Sequence, residues 1–297
     1  MSNTLEALQK KIKSGQDLGS IVRTMKALAA SSQAQYEKAV ESLDDYYRTV
    51  EMGLSVVLAS REEDVLPPAR GRDEGPLLLL IFGSDHGLAG RFNEQIVHFA
   101  LEEYWASEGV GGLPQNSLLA CVGEQVFSRV LASGHPVIEN FHVPVSIHAI
   151  TAAVQALTER IEAWRREEGV QRVLLLYNRP LAGASYQTHA ETLLPVDLST
   201  VRHKGKKWES RSLPTFTLAP SQLFSSLLQQ YFFASLYRAF AFSLAAENAS
   251  RLAAMQAAEK NIRERLDELT LQYQQARQTA ITEELLDIIA GFKALRK

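Results

Sequence analysis

Residues 221–290 read SQLFSSLLQQYFFASLYRAFAFSLAAENASRLAAMQAAEKNIRERLDELTLQYQQARQTAITEELLDIIA, without one glycine or proline. Those two residue types most often stop a helix. At about 1.5 Å per residue, an unbroken helix here is roughly 105 Å long. Ala245, Leu252, Met255, Ile262, Leu266, Leu269, Tyr273, Ala276 and Ala280 recur in alternating steps of three and four. Asn248 and Glu259 complete the register as polar members. This is a heptad seam, which predicts a left-handed supercoil with a second helix, and the polar members help fix its register. Glu247, Gln256, Lys260, Glu264, Asp267 and Gln274 lie between seam positions and read as a solvated face. The competing reading is a core helix of a large bundle, which needs several further helices of similar length.

Only residues 1–60 can supply a partner helix that long. Tyr36, Ala39, Leu43, Tyr46, Val50, Gly53 and Val57 keep the three-four rhythm, as do Ile21, Met25 and Leu28. Gly15 and Gly19 are places where this helix could bend or break. The two ends of the chain are therefore expected to pair as an antiparallel coiled coil, with the longer C-terminal helix projecting alone.

Between the helices the composition changes. Residues 61–76, REEDVLPPARGRDEGP, read as a linker. Residues 77–212 alternate short apolar runs with helical spacing, which predicts an inserted Rossmann-like α/β domain with a mostly parallel sheet. Its strands are expected at Leu77–Phe82, Ser117–Val122, Val137–Val143 and Arg172–Tyr177, with an antiparallel edge strand at Tyr186–Val196. Helices are expected at Phe92–Ser107, Gln125–Leu131 and Ile147–Glu168. Residues 213–297 form the C-terminal helix of the pair. The fold class is thus α/β, a long helical pair interrupted by a sheet domain.

The chain has 297 residues, a net charge of −3 and one cysteine, Cys121, in the apolar run SLLACV. Nothing in that balance points to nucleic acid. A lone cysteine makes no internal disulfide, and a reducing compartment fits. The first residues, MSNTLEALQKK, lack the apolar core of a signal peptide, and no apolar run is long enough to span a bilayer.

Catalytic motifs are weak. Gly83-Ser84-Asp85-His86-Gly87-Leu88-Ala89-Gly90 follows a strand and precedes a helix, the context of a phosphate site. Its spacing is G-x3-G-x2-G, not G-x-G-x-x-G, and a tight turn explains it as well. His86, His135, His142, His148 and His189 show no paired ligand spacing, so no metal or other cofactor is expected. The segment RHKGKKW, carrying Arg202, Lys204, Lys206 and Lys207, is either a solvated loop or a docking point for an acidic or membrane-proximal surface. At the end of the C-terminal helix the seam widens. Ile281, Leu285, Ile288, Ile289 and Phe292 make an apolar end that a lone helix should not expose to water. It either folds back on the chain or enters an apolar sleeve of a partner, with Arg277, Gln278, Thr282 and Glu284 at the mouth.

Five stretches carry a resemblance. Arg277-Gln278-x-x-Ile281-Thr282-x-Glu284-Leu285-x-x-Ile288 is similar to the C-terminal signature of the gamma subunit of rotary F-type ATP synthases. So are IVRTMKALAAS at 21–31, Ser84-Asp85-x-Gly87-Leu88-x-Gly90-x-Phe92-Asn93, LYRA at 236–239 and RLAAM at 251–255. The resemblance implies a non-catalytic rotor shaft, its paired helices inside a ring of alpha and beta subunits. It implies a foot domain beside an epsilon-type subunit and the c-ring, with delta a further subunit of the complex, peripheral on the cytoplasmic face of a bacterial plasma membrane and touching the membrane only through the c-ring. It assigns beta-subunit catch contacts to Arg277 and Gln278, and shaft contacts to Thr282, Glu284, Arg251, Met25 and Lys26. It turns the basic loop toward the c-ring and epsilon. The sequence departs from the family at His86, Ala89 and Arg91, where many relatives carry Arg, Cys and Gly, and at the Glu-Ser-Arg that follows Trp208. Two other classes stand beside this one: a nucleotide-binding enzyme with a coiled-coil tether, which needs a nucleotide at Gly83–Phe92, and a scaffold indifferent to loss of 277–297.

Overall fold

The computed structural model describes residues 2–60, 75–108, 113–114, 116–181, 185–196 and 214–294. Two helices dominate it, α1 (Ser2–Ser60) and the C-terminal helix (Pro220–Ala294, 75 residues). The chain divides into two compact units. One joins residues 1–29 to 252–297, and the other holds 30–251.

In the first unit the two helices pair antiparallel. Gly15 faces Leu266, Gly19 faces Ile262, and Lys26 forms an ion pair with Glu259. Every seam position from Leu252 to Ala280 is sheltered from solvent, and most residues between them are exposed. Glu259, a polar member of the seam, therefore meets a cation across the interface, which disfavours any slipped register. Its carboxyl is held below the usual value, chiefly by the Lys26 hydrogen bond.

The α1 seam lies one residue away from the expected one. Val22 and Ala29 are buried, whereas Ile21 and Leu28 are 57% and 63% exposed. Gly15 and Gly19 do not interrupt the helix. They are the holes of the seam: a Cβ on Gly15 would sit 2.8 Å from Leu266 Cδ2. Each costs about 1 kcal/mol of helix propensity, and in return the backbones approach closely. Leu266→Asp is expected to destabilise this pair by about 2 kcal/mol, since a charge would enter a half-buried apolar contact. An unchanged denaturation midpoint would remove Leu266 from the seam.

In the second unit, Tyr36, Val40, Tyr47, Val50 and Leu54 continue the buried stripe of α1. Tyr36, Val50 and Val57 are buried as expected and Leu43 is partly buried, while Val40, Tyr47 and Leu54 take the buried places expected for Ala39, Tyr46 and Gly53. Tyr46 points outward and Tyr47 packs on Tyr231 with ring centroids 5.4 Å apart.

The sheet has five strands: β1 (Leu77–Phe82), β2 (Ser117–Val122), β3 (Glu139–Phe141), β4 (Arg172–Pro180) and β5 (Tyr186–Leu194). Their order is β3-β2-β1-β4-β5. The first four are parallel and β5 runs antiparallel at the edge. All six residues of β1 are buried, as a central strand covered on both faces requires. The third strand is three residues long rather than seven, and β4 extends to Pro180.

One face is covered by α2 (Phe92–His98) and α4 (Glu124–Ala132), with α3 (Tyr104–Ser107) between them in sequence. A π-helical turn, Phe99–Glu103, joins α2 to α3, so the expected single helix carries one wide turn. The other face is covered by α5 (Ile147–Glu167) and by the C-terminal helix, named α6 from here on. Phe240 of α6 meets Phe82 edge to face, with centroids 5.0 Å apart. The insert thus shares its core with α6.

Candidate partner-binding surfaces and the Gly-rich clasp

Beyond Ala280 every described residue of α6 through Ala290 is exposed. Ile281, Leu285, Leu286, Ile288 and Ile289 are between 49% and 59% exposed. At helical spacing, 281, 285, 288 and 289 share one face. A chain folded on its own does not leave such a stripe in water without use. Of the two readings of this end, the structure shows no fold-back among the described residues. Phe292 lies where side chains are outside the described set, as do Arg202, Lys204, Lys206 and Lys207 in full.

The polar residues before the stripe are also exposed. Arg277 and Gln278 stand on the surface, and among the described residues no ion pair holds Arg277. The Thr282 hydroxyl donates to the Gln278 carbonyl at 2.9 Å, and Glu284 faces solvent. Met25 is half-buried, and Lys26 is engaged with Glu259. These seven positions are not one cluster. Arg277, Gln278, Thr282 and Glu284 form an open surface, whereas Met25 and Lys26 belong to the helical seam.

Arg251 belongs to a third place. Its guanidinium is 2.6 Å from Glu247 Oε1 and reaches the Gly87 carbonyl at 3.5 Å. One residue earlier, the Ser250 hydroxyl donates to the Ala89 carbonyl at 2.6 Å. Together they fasten the Gly-rich loop to α6. Glu247, expected on the solvated face, is in fact buried. Burial pushes its carboxyl pKa up, Arg251 draws it down in part, and the Asp85 charge raises it further. Ser250 carries no sequence signal for this role, because Ala89 lies 161 residues away, and the i,i+4 spacing of Glu247 and Arg251 does not by itself announce burial.

The start of the loop is tied into the fold. Asn93 Oδ1 accepts from the Ser84 amide at 3.0 Å, and Asn93 Nδ2 donates to the Ser84 hydroxyl at 2.8 Å. The Gly83 amide donates to Val122, and Asp85 accepts from the amides of Glu124 and Val143. The amides at the two ends of the loop, Gly83, Ser84 and Phe92, thus already have partners within the chain. A tight turn that clasps a helix accounts for the glycines.

A helical pair with a sheet domain inserted between the two helices, an apolar end left to water and a Gly-rich loop fastened to a helix define a protein that works through partners. The chain belongs to the ATP synthase family, whose model matches residues 4–295. It is 29% identical to the ATP synthase gamma chain of Geotalea uraniireducens over 296 residues, 99% of each chain. It is 28% identical to the gamma chain of Trichlorobacter lovleyi, again over 99% of each. Its fold is similar to a chain of the Euglena gracilis mitochondrial ATP synthase in an OSCP/F1/c-ring structure, with a TM-score of 0.63 and 17% identity over 99% of this chain and 95% of that one. It is also similar to a chain of the Tetrahymena thermophila mitochondrial ATP synthase central stalk and c-ring structure, with a TM-score of 0.54 and 22% identity over 80% of this chain and 99% of that one.

Proposed function

We propose that this chain is the central rotor shaft of a rotary ATP synthase, a subunit without a catalytic site of its own. It couples ion flow through a membrane c-ring to ATP synthesis or hydrolysis in a ring of alpha and beta subunits. The observation that carries the reading is the end of α6, ten consecutive exposed residues with an apolar stripe and a polar collar before it. An apolar surface turns inside an apolar sleeve with little energetic ruggedness, because its contacts have no preferred direction. Arg277 and Gln278 are the collar's catch contacts with beta, and Thr282 and Glu284 its neighbours. Arg251, Met25 and Lys26 act one step back, by holding the loop and the seam. The α/β domain, with the basic loop, sits beside epsilon and the c-ring, and delta is a further subunit of the complex. No helix among the described residues is long and apolar enough to cross a membrane, which fits peripheral attachment through the c-ring, on the cytoplasmic face of a bacterial plasma membrane.

The test is assembly. The chain is expected to co-purify with alpha and beta subunits and to hydrolyse no ATP alone. Hydrolysis by the isolated chain at a whole-enzyme rate would end this reading. In the assembled complex, Arg277→Ala with Gln278→Ala should lower ATP turnover by roughly tenfold, a loss of about 1.4 kcal/mol, while assembly is kept. Wild-type turnover would remove both from the catch.

A further inference from the structure

Much of the contact between the sheet and α6 is apolar: Leu80, Phe82 and Val173 pack in one core with Leu236, Phe240 and Leu244. Apolar contact is non-directional. It resists separation, but it does not by itself fix the angle at which a domain sits on a rod. Hydrogen bonds and ion pairs do.

Among the described residues, two such directional points join α6 to the sheet domain. One is the clasp of Ser250 and Arg251 on the Gly-rich loop. The other is Arg238. Its Nη2 donates to both oxygens of the Glu191 carboxylate, at 3.0 and 3.1 Å. Its guanidinium lies 4.0 Å from the centre of the Tyr47 ring. The same carboxylate accepts from the Tyr177 hydroxyl at 2.7 Å. One ionic knot therefore joins α6, α1, β4 and β5. The Arg238 and Glu191 side chains are only 19% and 12% exposed.

For stability alone such a knot is a poor choice. Charges held away from water are costly, and apolar residues of similar volume often serve as well or better. What the knot supplies is geometry, because charge-assisted bonds to a planar guanidinium tolerate little rotation. Residues 238 and 250 lie twelve residues apart, about 18 Å along the helix axis. A domain fastened to a rod at one point can pivot; fastened at two, it cannot.

We propose that Arg238 and Glu191, with Tyr47 and Tyr177, are torque-bearing positioning residues that lock the rotational setting of the α/β domain on the helices. This rests on the rotor reading above. Rotation delivered to the domain then reaches the helices without slip, and the apolar core supplies cohesion.

The experiment uses the assembled membrane complex carrying Arg238→Met, Glu191→Leu and Tyr177→Phe together. These replacements remove the ionic knot and leave apolar groups of similar size, so thermal stability should stay near wild type. ATP hydrolysis by the catalytic sector detached from the membrane should also stay near wild type. Ion pumping per ATP should fall at least about fivefold, the lower end of usual coupling between sites. Wild-type pumping per ATP in this variant overturns the proposal. Where the triple variant does not assemble, Arg238→Lys decides. It keeps the charge but loses the planar stack on Tyr47, so pumping per ATP should fall part of the way, and full pumping overturns the proposal. Leu244→Ala is the control, a core cavity that lowers stability without touching the knot. Pumping per ATP, per assembled enzyme, should be unchanged by it; an equal fall would make stability the cause and overturn the proposal. If the wild-type chain joins no ATP-hydrolysing complex, the rotor reading itself fails, an outcome distinct from a pumping wild type with an equally pumping variant.

Discussion

Gly83→Ala should cost about 3–5 kcal/mol of stability, more than most single methyl additions in a core. A Cβ built on Gly83 would lie 1.9 Å from Val126 Cγ2 and 2.8 Å from Asn93 Oδ1. Val126 belongs to α4 and is fully buried, so it has no free space to retreat into. Asn93 would be displaced too, and its two bonds to Ser84 would go with it. A buried polar group left without its partner costs about 1–3 kcal/mol on top of the steric term. Chemical denaturation should show a lower midpoint at an unchanged slope. A midpoint equal to wild type would mean that the strand-to-loop junction is not packed as described.

Arg251→Met should have the second large effect, about 3 kcal/mol near pH 8, because it leaves the buried Glu247 carboxylate without its partner. The double variant Arg251→Met, Glu247→Gln should recover most of that loss. The pH dependence follows from the direction of the shift. Folding raises the Glu247 pKa above its ordinary 4.5. Protonation therefore favours the folded state. This group's contribution is complete below the ordinary value and is lost as pH rises through the raised one. The groups that face it are Arg251, Asp85, His86 and Tyr36. Removing Arg251 takes away the charge that draws the pKa down, so the destabilisation should shrink as pH falls from 8 toward 5. Equal losses at both values would contradict a buried, titrating Glu247.

The helical pair was legible because a heptad seam states its own period. From Leu252 to Ala280 the apolar and polar seam positions read from the sequence are the sheltered ones in the structure. For α1 the period was legible, and the phase held at Tyr36, Val50 and Val57 but not in the 21–29 stretch. Ile21, Met25 and Leu28 trace one stripe and Val22, Lys26 and Ala29 another, a single residue apart. Only the partner decides between them, and here the chosen stripe holds two glycines and a lysine. Hydrophobicity counts against each of those residues, yet Gly15 admits Leu266 and Lys26 neutralises Glu259. The central strands β1, β2 and β4 were legible as apolar runs between turn residues, whereas β3 (Glu-Asn-Phe) and the edge strand β5 are not apolar. Their sharing of a core with α6 was not, because Phe240 and Phe82 lie far apart in the chain. The collar residues were readable as exposed because they interrupt an apolar stripe. The burial of Glu247 and the knot of Tyr47, Tyr177, Glu191 and Arg238 join segments that sequence spacing does not connect.

The pairing of Gly15 with Leu266 also orders events during synthesis. At about 5–20 residues per second, the ribosome needs roughly 10 to 50 s to reach Leu266 after it has passed Gly15. Through that interval Val22 and Ala29 have no mate, while the whole sheet domain emerges and can fold. The first segment translated is thus among the last to find its native neighbour. Until then its two seam glycines stay open to water, as do Val22 and Ala29.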